Sequence, residues 1–372
     1  MKILVINWQD IKNPFGGGAE VHLHEIFKRM AAMGHDITLF CCRWEGSPEL
    51  ENIDGIRVIR KGSRNLFNFK VKPEYLSRFS HEGFDLVIDD INKIPFYTPR
   101  FVKGPLLAIS HHFFGKSIFR EAGLIRGLYV YASEKLVDTV YSNTPFVVVS
   151  ESTKQEFIDR GFDAAKFDIV HNAITPGNFP MAVGEKYSEK SIIYFGRLKK
   201  YKSPDHLLKA FALVNKDLPY SKLYFMGRGD FQPVLEKMAK SMDLQDKVIF
   251  LGYVAEEDKA LHLGRCHVAV NTSMKEGWGI TNIEANACGT PVVSANVPGL
   301  KDSVKVGLSG LLFEYGDVGQ LAAILKDLLT DEAKLKALSE GAVEWAKGFS
   351  WDESAKKMEQ VCLKTIENYR LK

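Results

Sequence analysis

The sequence predicts an α/β protein with two Rossmann-like domains, and three observations lead to this fold class. The chain has 372 residues, whereas a single hydrophobic core stops growing near ~250–300 residues. Short β-branched runs alternate with helical patterns along most of the chain, which is typical of βαβ units and a parallel sheet. The alternation stops at residues 174–187, which contain two prolines and two glycines, and then resumes. We therefore expect one linker between two halves.

In the first half, seven runs have the composition of strands. They lie at residues 2–7, 37–42, 56–61, 86–90, 106–110, 146–150 and 168–172. Several are apolar throughout, as strands buried on both faces of a parallel sheet are. Helical patterns separate them at residues 19–33, 124–140 and 151–160. The first domain is predicted to span residues 1–175.

The second half repeats this pattern, with strands predicted at residues 192–196, 222–227, 248–252, 268–271 and 291–295. A helix is expected to begin at Pro204 with Ser203 as its N-cap, because serine and proline are favoured at these two positions. After Asp317 the chain becomes wholly helical, and a last amphipathic helix is expected at about residues 351–372. The second domain is predicted to span residues 176–350.

Composition and charge exclude several classes of protein. The chain is 45% hydrophobic and 26% charged, as ordinary globular proteins are. Its 49 basic and 46 acidic side chains give a net charge of +3, so no nucleic-acid partner is expected. The sequence contains no apolar run long enough for a transmembrane helix, and the N-terminus becomes polar too soon for a signal peptide. Five cysteines without CxxC spacing favour a cytoplasmic location.

Binding and catalytic residues are expected in the loops that follow strands, because doubly wound sheets bind ligands beyond the carboxyl ends of their strands. The first such loop contains Gly16, Gly17 and Gly18 and opens the first helix. Glycines let the backbone approach a ligand closely, and a helix N-terminus favours an anion. A phosphate or sugar contact at Gly17 and Gly18 is one interpretation, and a flexible turn is the other. The loop matches neither a dinucleotide-binding fingerprint nor a Walker A loop.

Two cations follow the first strand of the second half. Arg197 and Lys202 lie in the predicted turn between that strand and the next helix. A bidentate guanidinium and an ammonium in this place suit a diphosphate. A solvated basic loop is the alternative interpretation.

The segment 275–291 is the most informative part of the sequence. Glu276 lies in the predicted loop after strand 268–271, and Glu284 lies about two turns further on, inside a short helix. A loop carboxylate can accept hydrogen bonds from sugar hydroxyls, and a second carboxylate can accept from both hydroxyls of a ribose. Gly277 and Gly279 flank Trp278, which indicates a tightly shaped loop rather than two solvated glutamates. Paired carboxylates also occur in hydrolases, as an acid and base.

Together these motifs resemble the retaining glycosyltransferases of family 4, which have the GT-B fold. Glu276 and Glu284 stand in the E-x7-E spacing of that family. The sequences Gly-Gly-Ala-Glu at 17–20, Gly-Arg-Leu at 196–198, Gly-Arg-Gly at 227–229, Phe-Leu-Gly-Tyr at 250–253 and Phe-Ser-Trp at 349–351 follow in the family's order. The resemblance covers nearly the whole chain. It implies two Rossmann-like domains facing across a cleft, with the C-terminal helix packing back on the N-terminal domain.

The resemblance also implies roles for individual residues. Glu276 would contact hydroxyls of the donor sugar, and Glu284 would contact the ribose. Arg197 and Lys202 would neutralise the diphosphate. The catalytic residues would be His111, Glu276, Arg197 and Lys202, with His112 as the alternative to His111. The donor-binding residues would be Gly17, Gly18, Arg197, Lys202, Gly227, Gly252, Tyr253, Glu276, Gly277, Trp278, Gly279, Ile280, Thr281 and Glu284.

The implied reaction moves a hexose-type sugar from a nucleoside diphosphate sugar to a hydroxyl acceptor, such as a lipid-linked or polysaccharide precursor. The family's retention of configuration implies a front-face displacement assisted by the leaving group. Cations and backbone amides can stabilise the leaving diphosphate, and Asp89-Asp90 is not a D-x-D motif. No cofactor and no essential metal are therefore expected, with the nucleotide sugar as substrate.

The first domain is expected to bind the acceptor. Residues 57–78 contain seven Lys or Arg against one acid, interleaved with Leu66, Phe67, Phe69 and Val71. A basic, aromatic loop suits an anionic membrane surface or a phosphorylated acceptor, and a solvated loop is the alternative. A second apolar stretch at residues 113–120 suits an acceptor pocket or a lipid headgroup layer. We therefore expect a cytoplasmic enzyme that is peripheral at the inner face of the membrane if its acceptor is a lipid.

Two further functions are compatible with these motifs. A nucleotide-sugar epimerase on the same scaffold would use Glu276 in an acid/base pair. A catalytically silent protein would bind the nucleotide sugar without transferring it. Turnover of the donor with and without an acceptor distinguishes the three.

Overall fold

Two sheets organise the chain, one in each of two separate units of the computed structural model. The structure describes residues 1–92, 94–115, 118–179 and 185–371. The first unit comprises Met1–Asn172 together with Trp351–Lys372, and the second comprises Ala173–Ser350. The expected linker at 174–187 and the apolar stretch at 113–120 are described only in part, because residues 180–184, 116 and 117 lie outside the described residues.

The sheet of the first unit is parallel apart from one edge strand. Its strands are β1 (Lys2–Ile6), β2 (Asp36–Arg43), β3 (Leu50–Ile53), β4 (Ile56–Ser63), β5 (Leu86–Ile91), β6 (Leu106–Ser110), β7 (Phe146–Val148) and β8 (Phe167–Ile169). They lie in the order β3-β4-β2-β1-β5-β6-β7-β8, with β3 antiparallel to β4. Each strand predicted for the first half overlaps an observed strand, whereas β3 was not predicted.

The sheet of the second unit is parallel throughout. Its strands are β9 (Ser191–Phe195), β10 (Lys222–Met226), β11 (Val248–Gly252), β12 (Val268–Asn271), β13 (Val292–Ala295) and β14 (Gly310–Phe313). Their order is β11-β10-β9-β12-β13-β14. This is the 3-2-1-4-5-6 order of a doubly wound sheet, in which the direction of winding reverses between β9 and β12. Ligands of such sheets bind at this reversal, beyond the carboxyl ends of the strands.

Helices cover the two sheets. In chain order they are α1 (Gly18–Ala32), α2 (Phe67–Ser77), α3 (Ile118–Val140), α4 (Glu151–Asp159), α5 (Pro204–Asp217), α6 (Gln232–Ser241), α7 (Glu256–Arg265), α8 (Ile280–Ala287), α9 (Val318–Thr330), α10 (Glu332–Ala346) and α11 (Trp351–Arg370). Within α3, Gly123 has a non-helical backbone (φ 74°, ψ −179°), so a separate helical segment begins at Leu124. This is where the sequence predicts a helix to begin.

The last helix packs on the first unit, as the fold class requires. Nε of Arg29 in α1 donates to the carboxylate of Asp352 in α11 at 2.6 Å. Farther along, Nε2 of His35 lies 2.7 Å from the carboxylate of Glu359. The apolar face of α11, which includes Trp351, is buried. The chain therefore returns to its first unit after completing the second.

One local prediction is wrong. Residues 57–78 are not a loop but contain most of β4 and all of α2, with Phe67 and Val71 buried. Four of their seven cations form ion pairs: Arg57 with Glu82, Arg60 with Asp10, Lys61 with Glu74, and Arg78 with Glu82. The start of α5 is as predicted, with Ser203 at the N-cap and Pro204 as the first helical residue, but the Ser203 side chain makes no capping hydrogen bond. The backbone of Ser203 is left-handed (φ 51°), and its hydroxyl lies 2.8 Å from the Tyr315 hydroxyl.

Each unit has its own core. In the second unit, Phe211 of α5 and Phe225 of β10 are fully buried between the sheet and its helices. In the first unit, Phe146, Phe157 and Phe167 pack within 4.8–5.3 Å of one another, measured between ring centroids. Among the described residues, no helix is both long enough and apolar enough to cross a membrane.

Candidate active site

Three glycines lie side by side where strands of the second unit end. Gly196 follows β9, Gly227 follows β10, and Gly252 ends β11. The amide of Gly196 donates to the Met226 carbonyl at 3.0 Å, and the amide of Gly227 donates to the Gly252 carbonyl at 2.8 Å. A Cβ on Gly227, whose φ is +131°, would lie 2.0 Å from the Gly196 carbonyl oxygen. These strands therefore end in backbone without side chains, which lets a ligand approach the main chain closely.

Lys202 and Glu276 form an ion pair beside this edge. The ammonium of Lys202, in the turn after β9, contacts the carboxylate of Glu276, in the loop after β12. Their side chains are 17% and 18% exposed, so solvent screens the pair only partly. The Thr272 hydroxyl also donates to the Lys202 carbonyl at 3.0 Å. The structure thus brings together one cation and one carboxylate that the sequence places 74 residues apart.

Arg197 lies in the same turn but is exposed. Its guanidinium donates to the Tyr201 hydroxyl at 3.1 Å, and its carbonyl accepts from the Tyr194 hydroxyl at 3.2 Å. Burial raises the pKa of Tyr194 well above its ordinary value, and the negative charge of Glu276 adds to this effect. Tyr194 therefore stays a neutral donor that fixes the backbone at Arg197.

Glu284, in α8, forms an ion pair with a lysine that the sequence did not indicate. Its carboxylate accepts from Nζ of Lys259, in α7, at 3.1 Å. The Lys259 ammonium also lies 5.1 Å from the ring centroid of Phe195, which ends β9. Burial, followed by the charge of Glu284, raises the pKa of Cys288 to about 12. Because Lys259 belongs to no motif, only the fold shows that it accompanies Glu284.

The loop before α8 is shaped by glycines. A Cβ on Gly279 would lie 2.3 Å from the Ser303 hydroxyl oxygen. The amide nitrogen of the Asn271 side chain, at the end of β12, donates to the Thr281 hydroxyl at 3.2 Å. The first amides of α8, from Ile280 onwards, thus lie at the carboxyl edge of the sheet, where a helix N-terminus favours an anion. Gly277 lies in the same loop, between Glu276 and Trp278.

Trp278 and Tyr253 have opposite environments. The ring of Trp278 is buried, with its centroid 5.3 Å from that of Phe349. Its side chain therefore packs the second unit, and a donor would meet only its backbone. Tyr253 is 72% exposed beside Gly252. The Arg228 guanidinium lies 5.9 Å from the Tyr253 ring centroid.

The glycine loop of the first unit is ordered by neighbouring side chains. The amide of Gly17 donates to the Glu20 carboxylate at 2.7 Å, and α1 begins at Gly18. Asp10, earlier in the loop, accepts at 2.7 and 3.2 Å from the guanidinium of Arg60, a fully buried residue of β4. Burial raises the pKa of Glu20 above its ordinary value.

His111 lies in a buried group of titratable side chains at the same edge of the first sheet. Its Nε2 lies 3.2 Å from the carboxylate of Asp90, in β5, and its ring centroid lies 5.1 Å from that of His22. Burial lowers the pKa of His111, but the charge and hydrogen bond of Asp90 outweigh it, so the pKa is raised. Burial and the charge of His111 lower the pKa of His22 well below its ordinary value. His112 is instead partly exposed, with its ring centroid 4.7 Å from that of Phe114.

The predicted site residues thus divide between the units. Gly17, Gly18 and His111 lie in the first unit, and the others lie in the second. Sequence reasoning missed Asp90 and Lys259. The signal for Asp90 is a carboxylate near the end of an otherwise apolar strand, whereas Lys259 has no comparable signal.

The sequence matches two family models and is similar to known proteins. Residues 16–177 match the model "Glycosyltransferase Family 4", and residues 179–345 match "Glycosyl transferases group 1". An uncharacterized glycosyltransferase of Methanocaldococcus jannaschii is 26% identical over 380 residues, covering 96% of each chain.

Two solved structures have a similar fold. The sucrose-phosphate synthase of Thermosynechococcus elongatus has a TM-score of 0.81 at 21% identity, with 99% of each chain covered. The Anabaena protein HepE, solved in complex with UDP-glucose, has a TM-score of 0.76 at 18% identity, covering 97% of this chain and 99% of HepE. The two family models meet at residues 177–179, close to the boundary between the two units, and both solved structures share the fold of the chain. The chain belongs to glycosyltransferase family 4 and has the GT-B fold.

Proposed function

We propose that the protein is a retaining glycosyltransferase that moves a hexose-type sugar from a nucleoside diphosphate sugar to a hydroxyl acceptor. One observation carries the proposal: Lys202, Glu276 and the N-terminus of α8 meet where the second sheet reverses its winding. A cation and helix amides suit a diphosphate, while a carboxylate suits sugar hydroxyls.

In this proposal, the second unit binds the donor. Lys202 and Arg197 bind the diphosphate with the amides of Gly279 and Ile280, and Glu276 accepts from the sugar hydroxyls. Glu284 accepts from the ribose. The nucleotide base lies beside Tyr253, against the backbone of Gly227 and Gly252. The remaining backbone contacts to the donor come from Gly277, Trp278 and Thr281. In the first unit, we propose that the loop backbone at Gly17 and Gly18 contacts a substrate.

The same groups favour departure of the nucleoside diphosphate. Negative charge grows on the leaving phosphate as the sugar bond breaks, and each preorganised donor aimed at that charge lowers the barrier by about 2.7–4 kcal/mol. In the first unit, the carboxylate of Asp90 raises the pKa of His111 and so favours its positively charged form. We propose that the acceptor hydroxyl attacks the face from which the diphosphate leaves, so that the configuration of the sugar is retained.

The proposal includes neither a cofactor nor an essential metal. Lys202 and Arg197 supply the charge that a divalent cation supplies in other enzymes. Among the described residues, no three His, Cys, Asp or Glu side chains are grouped to bind a metal ion. We expect transfer to persist in EDTA and Arg197→Ala to lower kcat/KM by about 100-fold or more. Loss of activity in EDTA that magnesium restores would contradict this part of the proposal.

The acceptor is a sugar, a glycolipid or another hydroxyl compound, and the reaction takes place in the cytoplasm. A lipid-linked acceptor would bring the enzyme to the inner face of the membrane. The exposed cations Arg64, Lys70 and Lys72 of the first unit suit an anionic surface there.

The first experiment is a thermal-shift panel of UDP-, GDP- and ADP-sugars, with UDP-glucose as the first probe because HepE was solved with it. A donor at 100 times its Kd stabilises the protein by about 2.7 kcal/mol. The bound donor is then incubated with acceptors, and the anomeric configuration of the product is determined by NMR. An inverted product would contradict retention.

Variants of the two glutamates test the assigned roles. Glu276→Ala is expected to lower kcat while preserving the affinity for the free nucleoside diphosphate. Glu284→Ala is expected to weaken that affinity about tenfold, because it removes a hydrogen bond to a charged group. Glu344→Ala, at an exposed position of the second unit, is the matched control. If Glu284→Ala binds the nucleotide as wild type does, the ribose role is wrong.

Donor turnover in the absence of acceptor separates the alternatives. Conversion of one nucleotide sugar into another without an acceptor would indicate an epimerase. Tight donor binding with neither transfer nor hydrolysis across an acceptor panel would indicate a binding protein.

A further inference from the structure

A cavity of about 490 Å³ lies in the second unit, at the edge of the sheet opposite the candidate active site. Lys190 and His267, which line it, directly precede β9 and β12, and Gly289 lies in the turn before β13. In a parallel sheet these positions mark the amino ends of the strands, whereas the candidate active site lies beyond the carboxyl ends. The volume is within the range of small-molecule sites, about 300–1,000 Å³. The proposed reaction makes no use of this cavity.

Part of the cavity wall is apolar or uncharged. Leu335 and Val343 of α10 line it, together with Cys288, whose pKa of about 12 keeps the thiol neutral. The imidazole of His267 is neutral as well. Burial lowers its pKa to about 4, and its Nδ1 accepts from the Ser191 amide at 3.1 Å. Such a wall suits the apolar body of a ligand.

Lys186 places an ammonium in this wall. Its Nζ donates to the Cys266 carbonyl at 2.6 Å and to the Thr290 hydroxyl at 3.0 Å. Within the described part of the chain, this ammonium contacts no carboxylate. The residue as a whole is exposed, but its ammonium is partly enclosed, and this desolvation lowers its pKa to about 8. An anion beside it would stabilise its charged form.

The other charged side chains described in the cavity wall are paired with one another. Nζ of Lys190 lies 3.3 Å from the Glu332 carboxylate, and Nζ of Lys336 lies 4.0 Å from the Glu340 carboxylate. The positive charge of Lys186 therefore has no counter-charge in the wall. This arrangement suits a ligand with one anionic group.

Two helices connect the cavity to the candidate active site. The helix α8 has eight residues, a length of about 12 Å. It begins with Ile280 at the carboxyl edge of the sheet, and its C-cap, Cys288, lines the cavity. The helix α7 contains Lys259, the partner of Glu284, and near its end Gly264 lines the cavity. A ligand in the cavity would thus contact the ends of both helices that the Lys259–Glu284 ion pair joins.

We propose that this cavity is a regulatory site for a small organic carboxylate with an apolar body. The carboxylate pairs with Lys186, and the apolar body fills the space beside Leu335 and Val343. An occupied cavity fixes the ends of α7 and α8, which preorganises Glu284 and the first amides of α8 for the donor. This effect on the donor rests on the proposed function, whereas binding in the cavity does not.

Titration calorimetry without any donor gives the first test. The probe is phenylacetate, and phenylacetamide has nearly the same shape without the charge. We expect phenylacetate to bind about tenfold more tightly or more, because the charged pair with Lys186 is lost in the amide. Inorganic phosphate lacks the apolar body and should bind more weakly than phenylacetate by a similar factor. Lys186→Met should abolish the preference for phenylacetate, whereas the control Lys237→Met, at an exposed position of α6, should preserve it.

A second variant fills the cavity and leaves the ammonium in place. Val343→Trp should place an indole ring in the cavity and abolish binding of phenylacetate. Circular dichroism and thermal denaturation check that the variant is folded. In wild type, phenylacetate should slow hydrogen exchange of the α8 amides, and in Val343→Trp it should not.

The affinity for UDP-glucose measures the regulation. We expect saturating phenylacetate to lower the Kd of UDP-glucose about threefold or more in wild type but not in Val343→Trp. By linkage, UDP-glucose should lower the Kd of phenylacetate by the same factor.

Three results would overturn the proposal. Equal affinity for phenylacetate and phenylacetamide would contradict the class of ligand. Binding of phenylacetate that both Lys186→Met and Val343→Trp leave unchanged would place it outside the cavity. A Kd of UDP-glucose that phenylacetate does not lower would contradict the regulation. Failure of the proposed reaction gives a different result, since the chain would then bind phenylacetate at Lys186 but no nucleotide sugar.

Discussion

The carboxylate of Asp90 raises the pKa of His111. Without it, burial, which lowers the pKa and is the largest effect, would be opposed only by the smaller effect of the Glu20 charge. We expect Asp90→Asn to lower the pKa of His111 from above to below its ordinary value. NMR titration of the histidine ring protons measures this, with Asp36→Asn, at an exposed position, as the control. An unchanged titration of His111 would show that Asp90 does not hold the proton there.

The pairing of Asp90 with His111 also makes stability depend on pH. The pKa of His111 is raised in the folded protein, so its contribution to stability is fully present below the ordinary pKa of histidine. That contribution is lost as the pH rises through the folded value. In Asp90→Asn, the difference in stability from wild type should therefore be larger at acidic than at alkaline pH.

The pKa of Asp89, the residue before Asp90, is raised for a different reason. Asp89 is fully buried and accepts from the Thr98 and Tyr141 hydroxyls at 2.5 Å each. Burial is the largest effect on its pKa and raises it from 3.8 to about 6. The folded state thus binds this proton more tightly than the unfolded state, so stability falls as the pH rises from about 4 to 6.

Asp89→Asn should remove this fall in stability. The asparagine can still accept a hydrogen bond but does not titrate, and the difference between pH 4.5 and pH 7 amounts to about 2 kcal/mol. Urea denaturation of both proteins at pH 4.5 and pH 7 measures it. Parallel pH profiles for the variant and wild type would contradict the assignment.

The positions of the candidate site residues follow from the sequence where they lie at the end of a strand or in the loop that follows it. Glu276, Lys202 and Gly252 are examples, because parallel strands bring their carboxyl ends to one edge. The pairing of Lys202 with Glu276 does not follow, since it joins two loops whose approach depends on strand order. The burial of Trp278 was not predictable either, because Phe349, which covers its ring, is far away in sequence.

The turn after β13 supports the loop that carries Glu276. Gly299 has a φ of +80°, and a Cβ there would lie 2.1 Å from the Glu276 carbonyl oxygen. We expect Gly299→Ala to displace this loop and to lower kcat at least tenfold, because misplaced catalytic groups lose alignment. Activity assays with thermal denaturation of the same samples measure both effects.

Gly307 offers a matched control for that prediction. Its φ is +78°, but a Cβ there would meet nothing within 4 Å. Both alanine variants should lose roughly 1–2 kcal/mol of stability from the left-handed backbone. Only Gly299→Ala should lose activity. Equal losses of activity in the two variants would attribute the effect to backbone strain alone.

Among the elements, the buried parallel strands were predictable because their composition is apolar and β-branched. The edge strands β3 and β14 are short and lack that signal. The helix α2 was mistaken for a loop. It contains Pro73 and exposes Phe69 and Leu76 among its polar residues, so its sequence lacks the separate apolar and polar sides by which a helix is recognised.

The whole molecule depends on its last helix to complete the first unit. Trp351, Ala355, Met358, Cys362 and Ile366 of α11 are buried. Their burial contributes roughly 5–10 kcal/mol, which is comparable with the total stability of a typical domain. A chain that ends at Ser350 should therefore fail to fold its first unit while the second unit stays folded.

Hydrogen exchange distinguishes the two units in that experiment. Amides of β1 and α1 should exchange rapidly in the truncated chain, while those of β9 and β12 remain protected. A chain that ends at Arg370 is the control, because Leu371 is 79% exposed. Normal protection of β1 in the shorter chain would show that α11 is dispensable for folding.

The return of the chain to its first unit has a consequence for synthesis on the ribosome. About 200 residues separate the end of the first segment of that unit from the end of α11. At 5–20 residues per second, translation of this stretch takes roughly 10–40 s. During this time the nascent chain exposes the apolar side of α1 that α11 later covers, while the second unit emerges as one continuous segment. The second unit can therefore fold first, and the first unit completes its core only after the final helix leaves the exit tunnel.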